Sequence, residues 1–172
     1  MNELDDVWEK MFAESRAENA SAPPGILSEF LGLKASNDEV RTRAVEWLLM
    51  VFTELAAHAN RRSAGIEIER KEPHNFSAFG ANMAGIKIDL RQGVRCLTVE
   101  AGWTRLPSDG FMRGGALAVA HISHFGIKSH DTHLALLKTG DLPEWHEIDR
   151  DNVARPIQAR DITRHIALLI EH

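Results

Sequence analysis

The chain contains a single cysteine, Cys96. One thiol cannot form an intramolecular disulfide or supply a cysteine zinc cluster within one chain, which excludes a disulfide scaffold. Cys96 also lies in a run with strand character, where a thiol is more often inert packing than a nucleophile. The cysteine content therefore indicates a reducing, cytoplasmic environment.

The sequence also lacks an export signal and a long apolar run. Four of the first ten residues are acidic, whereas a secretory signal begins with basic residues and continues into an apolar stretch. The longest apolar runs, at residues 47–52 and 116–120, are far shorter than the roughly 20 residues that cross a bilayer. We therefore expect a cytoplasmic protein with no membrane segment.

Common catalytic and nucleotide-binding motifs are missing as well. There is no G-x-x-x-x-G-K-[ST] loop, no G-x-G-x-x-G turn between a strand and a helix, and no G-x-S-x-G or H-E-x-x-H. These absences remove the usual ATPase, dinucleotide-dependent, serine hydrolase and zinc protease interpretations, so enzymatic activity is uncertain and less favoured than binding.

The overall residue composition is that of a globular protein. The 172 residues are 44% hydrophobic and 26% charged, which fits one packed core and predicts a single domain over residues 1–172. The net charge of −5 divides into −6 over residues 1–60, +3 over residues 61–115 and −2 over the rest. Only the middle segment favours an anionic partner, and it has no strong basic patch of the kind that a dedicated nucleic-acid binder carries.

Helical periodicity occurs near both ends of the chain. Apolar residues at helical spacing predict one helix over residues 3–19 and, after a break at residues 21–25, a second over about residues 38–60. The second begins after a capping box formed by Ser36 and Glu39. A closing helix is predicted near residues 162–170. The three apolar stripes are Leu4, Val7, Trp8, Met11 and Phe12; Trp47, Leu48, Val51, Phe52 and Leu55; and Ile162, Ile166, Leu169 and Ile170.

Between the helices the period changes to two, which is typical of half-buried strands. Strands are predicted at residues 66–69, 86–91, 94–101, 134–137 and 144–148, with a tight hairpin at Gln92 and Gly93. Residues 73–82 and 103–115 are expected to be long loops. The predicted fold is α+β, with two N-terminal helices, a mostly antiparallel β-meander of about five or six strands, and a C-terminal helix.

A group of histidines suggests a metal site as one alternative. The candidate ligands lie within 13 residues and are His121, His124, His130, Asp131 and His133. Imidazole and carboxylate groups are suitable ligands for zinc or iron. His121 and His124 share a face only if residues 116–125 form a helix. The alanine content of these residues favours a helix, whereas the alternation of their apolar side chains favours a strand. We prefer the strand, and we favour structural or exposed histidines over a metal centre.

The loop at residues 103–115 combines aromatic rings, arginines and glycines. Trp103 and Phe111 are of a type that stacks on a ring, and Arg105 and Arg113 are of a type that pairs with phosphate or carboxylate. The alternative is that the aromatic residues anchor the loop to the core and that the arginines are solvated or paired with Asp109 or Glu100. If the loop has a function, it is recognition of an anionic group.

These observations favour a non-enzymatic binding or regulatory domain that recognises a protein partner or an anionic ligand through its central loops, without a cofactor. One alternative is a metal-dependent hydrolase that uses zinc or iron held by the histidine cluster. Another is an interaction or inhibitor protein that acts through its acidic N-terminal helices. The sequence identifies neither the ligand nor the oligomeric state.

Overall fold

A computed structural model describes residues 24–171, except for the side chains of residues 24–27, 30 and 31. No helix in this part of the chain is long and apolar enough to cross a membrane. The regular elements, in chain order, are α1 (Pro24–Asn60), β1 (Glu67–Ala78), β2 (Ala81–Gln92), β3 (Arg95–Trp103), β4 (Ala118–His124), β5 (Thr132–Leu137), β6 (Glu144–Ile148), β7 (Ala154–Pro156) and α2 (Ala159–Ile170).

The seven strands form one sheet in the order of the chain, and every neighbouring pair is antiparallel. The sheet is not closed, because β1 and β7 pair only with β2 and β6. The α+β class and the antiparallel meander are therefore confirmed. The sheet has seven strands instead of five or six, because the three-residue β7 is too short to show a period-two pattern.

The helix α1 begins at Pro24, twelve residues before the Ser36 start predicted from the capping box. Proline is well tolerated at a first helical position, where its missing N–H has no helical partner to lose. The helix then continues through Ser36, which is exposed. The other predicted N-terminal helix, over residues 3–19, lies outside the described residues.

Both helices pack on the same face of the sheet, which we call the helix face. Leu48 and Phe52 of α1 are fully buried there, and Ile162 and Ile166 of α2 complete the contact. Val51 and Leu55 are partly buried against the same core, but Trp47 remains 46% exposed and belongs to a different side of α1. The remaining face of the sheet, which we call the open face, carries the polar side chains of the strands.

The segment 73–82, predicted as a loop, is mostly the end of the β1–β2 hairpin. The strands turn at Phe79 and Gly80, whose φ values of 51° and 77° suit a two-residue hairpin turn of the primed type. Proline, asparagine and glycine gave this segment the composition of a loop. Phe79 nevertheless contacts His133 of β5, with ring centroids 5.4 Å apart. Because β1 and β2 are not neighbours of β5 in the sheet, the hairpin end must fold over the open face.

Two glycines lie directly opposite each other at the base of this folded end. A Cβ atom on Gly85 would lie 1.9 Å from the carbonyl oxygen of Ala101, and one on Gly102 would lie 2.5 Å from that of Ala84. The two strands therefore approach more closely than any pair with side chains allows. Glycine is therefore required at both positions.

Candidate functional site

The predicted recognition loop begins in the protein interior with Trp103 and Thr104 and is exposed over residues 105–108. Trp103 ends β3 and is only 5% exposed. The guanidinium carbon of Arg105 lies 3.7 Å above its indole ring, and Arg105 Nη2 donates a hydrogen bond to the carbonyl oxygen of Ala84 at 3.3 Å. Burial also lowers the pKa of Arg105. Trp103 is therefore covered by Arg105 and has no free ring face for a ligand.

The second half of the loop is mostly exposed, although Met112 is buried. Phe111 is 66% exposed, and Arg113 begins a short 3-10 turn that ends at Gly115. Gly114 within that turn has φ 66°, a conformation that favours glycine. The backbone carbonyl of Arg113 accepts a hydrogen bond from the N–H of Ala116, but its side chain has no hydrogen-bond or ion-pair partner among residues 24–171. Of the four predicted ligand-binding residues, Trp103 is thus buried and covered by Arg105, whereas Arg105, Phe111 and Arg113 are exposed.

Arg113 lines a cavity of about 220 Å³ on the open face. The walls come from strands β4 to β7 and from the tip of the folded hairpin, and two of its residues, Arg113 and Asn152, offer polar side-chain groups. The other lining residues are Phe79, Gly114, Val119, Ala135, Leu137, Ile148 and Ala154. An apolar cavity with few polar groups is the usual form of a small-molecule site.

A row of polar residues crosses the open face beside this cavity. Strand register places Lys87, Glu100, His121 and His133 directly opposite one another on β2 to β5, and Ile148 of the cavity wall continues the row on β6. Side chains opposite each other in a sheet lie within contact distance. The row therefore forms one continuous strip that ends at the cavity.

Glu100 is the centre of this strip. Its Oε1 lies 2.7 Å from His74 Nε2, and its Oε2 lies 3.7 Å from His121 Nδ1. The imidazoles of His121 and His74 hold the pKa of this carboxyl below its usual range, against the opposing effect of burial. Glu100 is therefore a carboxylate at neutral pH and lies between two imidazole rings.

His133 lies between this carboxylate centre and the cavity. Its ring stacks on His121 with centroids 4.5 Å apart, and Phe79 of the cavity wall covers it from another side. His133 as a residue is exposed, but the rings beside it remove water from part of its imidazole, and this desolvation, together with repulsion by His121, lowers the pKa of His133. His133 is thus predominantly neutral at pH 7 and presents an imidazole next to the cavity.

His124 lies on the opposite face of the sheet from His121, because residues 118–124 form a strand as we preferred. Its Nε2 lies 2.9 Å from Nδ1 of His165 on α2, and both residues are buried. His130 contacts the edge of the His124 ring, and Asp131 accepts a hydrogen bond from the backbone N–H of His124. The predicted metal ligands are therefore divided between the two faces.

This division bears on the alternative metal site. His121 and His133 are together on the open face, whereas His124, His130 and Asp131 lie around the other end of β4. Within residues 24–171, no three His, Cys, Asp or Glu side chains form a group that could hold a metal ion. The five residues do not make up one centre.

Three contributors to the open face were not identified from the sequence. His74 and Phe79 fell in a predicted loop, and Glu100 was considered as a partner for the loop arginines and not as the centre of a site. Their proximity to His121 arises from strand register and from the folded hairpin, and neither is encoded by a local motif. A sequence signal did exist in the period-two pattern of β3, which places Glu100 on the polar side of its strand.

Comparison of the chain with protein-family models, with curated proteins and with solved structures gives no match. A functional interpretation therefore depends on the geometry of the open face and of the loop beside it.

Proposed function

We propose that this protein is a non-enzymatic binding domain that holds a small anionic ligand with an apolar body in the open-face cavity. The observation that carries the proposal is the guanidinium of Arg113, which lines an apolar cavity and has no anionic partner among residues 24–171. A planar guanidinium pairs with carboxylate or phosphate through two parallel hydrogen bonds. A ligand anion would supply the partner that Arg113 lacks.

The cavity limits the size of this ligand. A volume of about 220 Å³ corresponds to about seven water molecules at about 30 Å³ each. A ligand of about seven to ten non-hydrogen atoms fits this space. Its apolar body would contact Val119, Ala135 and Ile148, and its anionic group would lie at Arg113 with Asn152 as a neutral donor.

Binding is favoured over metal-dependent hydrolysis because the predicted metal ligands divide between two faces of the sheet. Binding through Trp103 is disfavoured because Arg105 covers its ring. The proposed site thus includes Arg113 of the predicted recognition loop and adds the residues of β4 to β7 that line the same cavity.

Binding is tested with benzoate and with phenylphosphonate, which share a ring and differ in the anion, and with benzyl alcohol as the uncharged control. Protein-observed NMR titration should show saturable shifts at residues of β4 to β6 for at least one anion and none for benzyl alcohol. Arg113→Gln should weaken binding at least tenfold, because an ion pair of this kind contributes about 1.5 to 3 kcal/mol. Raising the salt from 0.1 M to 1 M should also weaken it.

Two matched variants complete the test. Ala154→Phe places a ring in the cavity from an exposed position on its edge strand and should abolish binding without loss of the fold. Arg62→Gln removes an exposed arginine outside the cavity and should leave the affinity unchanged. The proposal is contradicted if neither anion binds at 20 mM, or if binding persists in both the Arg113 and the Ala154 variants.

A further inference from the structure

One end of the sheet exposes three large apolar side chains. Val94 in the β2–β3 turn is 94% exposed, and Phe125 and Ile127 in the β4–β5 connection are 79% and 44% exposed. Single exposed apolar side chains are normal on a folded protein, whereas a group of them rimmed by polar residues indicates interaction with a protein or a membrane. The three residues have this significance only if they lie together.

The three residues do lie on two adjacent turns. The β3–β4 pairing extends one residue past its last ladder pair, because the backbone N–H of Phe125 donates a hydrogen bond to the carbonyl oxygen of Cys96 at 2.9 Å. Val94 precedes Cys96 by two residues, and Ile127 follows Phe125 by two. Two residues span at most about 7 Å, and adjacent strands are about 4.8 Å apart. The three residues therefore form one cluster, which we call the apolar tip.

Tight turns hold the apolar tip at the end of the sheet. Gly93, with φ 60°, is the first of two turn residues, where a type II′ turn favours glycine, and Val94 is the second. The other turn is closed by a hydrogen bond of 3.0 Å from the N–H of Ile127 to the carbonyl oxygen three residues earlier. Its third residue, Gly126, has φ 80°, which is typical of a type II turn, and its second is Phe125. Val94 and Phe125 thus project from the corners of turns.

Two further segments of the chain lie beside the apolar tip. Nε2 of Gln92 donates a hydrogen bond to the carbonyl oxygen of Ala64 at 3.1 Å, which brings the connection between α1 and β1 to the β2–β3 turn. Nη1 of Arg95 lies 3.5 Å from the carbonyl oxygen of Leu169, which brings the end of α2 to the same turn. These contacts define one surface, made of residues 61–67, 91–95, 125–131 and 164–171, which we call the tip surface.

The tip surface is basic, although the whole chain has a net charge of −5. Its four ranges contain six arginines and lysines against three aspartates and glutamates, a formal charge of +3. Five of the six basic residues are exposed, and none of these five forms an ion pair within residues 24–171. The basic residues are Arg61, Arg62, Arg91, Arg95, Lys128 and Arg164, of which Arg95 is half-buried, and the acidic residues are Glu67, Asp131 and Glu171. The charge therefore attracts an anionic partner to the side that bears the apolar tip.

We propose that the tip surface docks on an anionic lipid bilayer, with the apolar tip among the headgroups and the basic residues facing the lipid phosphates. Charge complementarity favours this partner, because a bilayer with anionic lipids attracts each Lys or Arg near its surface. Burial of Val94, Phe125 and Ile127 at the boundary between headgroups and acyl chains adds to the attraction. A protruding tip enters this boundary without a matching groove, and docking of this kind requires no membrane-spanning segment. It is independent of the ligand of the open-face cavity.

Sedimentation of the full-length protein with vesicles tests the docking. At 0.1 M salt, vesicles of phosphatidylcholine with about 30% phosphatidylserine should bind the protein at least tenfold more strongly than vesicles of phosphatidylcholine alone, and 1 M salt should weaken this binding. Val94→Ser with Phe125→Ser should lower the affinity for the anionic vesicles at least tenfold. Leu142→Ser, 76% exposed on the β5–β6 connection at the opposite end of the sheet, should leave it within twofold.

A second pair of variants tests the charges. Arg91→Gln with Lys128→Gln should also lower the affinity at least tenfold, whereas Lys34→Gln with Lys138→Gln, which removes two exposed charges outside the tip surface, should leave it within twofold. All of these positions are exposed, so urea unfolding should give each variant nearly the stability of the parent and separate lost binding from lost folding.

Insertion is followed at the tip itself. In a Cys96→Ser background, Phe125→Cys labelled with an environment-sensitive fluorophore should shift its emission to shorter wavelength on anionic vesicles, whereas labelled Leu142→Cys should not. The proposal is overturned if the anionic vesicles bind no better than the neutral ones, if either tip-surface double variant binds as the parent does, or if the label at position 125 shows no shift. Binding of a short DNA duplex that needs Arg91 and Lys128, without binding of vesicles, would assign the surface to nucleic acid and overturn it as well.

Discussion

Histidines on the two faces of the sheet occupy different environments. On the helix face, His124 and His165 contact each other at 2.9 Å, and the ring of Phe52 lies 6.3 Å from that of His165. On the open face, His121 lies near the carboxylate of Glu100, and His74 lies 2.7 Å from it. His121 and His124 are only three residues apart, so the alternation of one strand separates the two environments.

The difference shows how burial determines the use of a titratable group. His124 and His165 have each other as close ring partners, and burial lowers the pKa of both, to about 4 for His165. A neutral pair can share one proton as donor and acceptor and satisfy both facing nitrogens. The open-face histidines instead have a carboxylate partner. The helix-face pair therefore connects β4 to α2, whereas the open face places two imidazoles around one carboxylate.

The largest expected effect comes from the apolar part of the helix face. Phe52→Ala removes a ring that is fully buried between α1 and the sheet, and it should lower the free energy of unfolding by about 3 to 5 kcal/mol. Met50→Ala, two residues earlier and 49% exposed, should change it by less than about 1 kcal/mol. Urea unfolding at pH 7 measures both. Similar costs for the two variants would mean that α1 does not pack through the Phe52 side.

The His124–His165 pair predicts a pH-dependent difference between the faces. The pKa of His165 falls from 6.5 to about 4 on folding, so the unfolded chain binds more protons between these values. The stabilisation is fully present above pH 6.5 and is lost as the pH falls toward 4. At about 1.4 kcal/mol per pKa unit, the loss is on the order of 3 kcal/mol. Urea unfolding at pH 7.5, 6, 5 and 4.5 should show this decline.

A double variant isolates the contribution of the buried pair. His124→Leu with His165→Leu removes both titrating groups and leaves no unpaired imidazole, so the decline between pH 6.5 and 4.5 should become clearly smaller. His58→Ala, which removes a histidine of α1 outside this pair, should retain the full decline. If the double variant loses stability as steeply as the parent, other groups cause the acid sensitivity.

Much of the fold was accessible from the sequence because it depends on local periodicity. The β2–β3 hairpin, β5, β6 and the C-terminal helix lie where alternation and helical spacing predict them. The predicted start of α1 was wrong, because the capping box of Ser36 and Glu39 does not begin a helix. The helix already begins at Pro24 and continues through both residues. The end of the β1–β2 hairpin was missed because Pro73, Asn75 and Gly80 give a strand pair the composition of a loop.

The candidate site was less accessible because it depends on contacts between distant residues. His74 and Glu100 are 26 positions apart, and His124 and His165 are 41 apart. Only the strand register and the folded hairpin bring the first pair together, and only the docking of α2 forms the second. Arg113 was identified from its residue type, but its cavity is formed by strands β4 to β7 and the tip of the hairpin.

The smallest expected effect comes from the carboxylate centre of the open face. Because His121 and His74 lower the pKa of Glu100, its charged form stabilises the fold above its usual pKa of 4.5, and this contribution is lost as the pH falls below that value. Glu100→Gln should therefore lower the free energy of unfolding by about 1 kcal/mol at pH 7. The difference from the parent should shrink at pH 3.5. Glu69→Gln, on an exposed position of β1, should stay within about 0.5 kcal/mol of the parent at both pH values. Urea unfolding of the three proteins measures these differences in the free energy of unfolding. If Glu100→Gln lowered it as much as Phe52→Ala does, the open face would contribute as much to stability as the helix face.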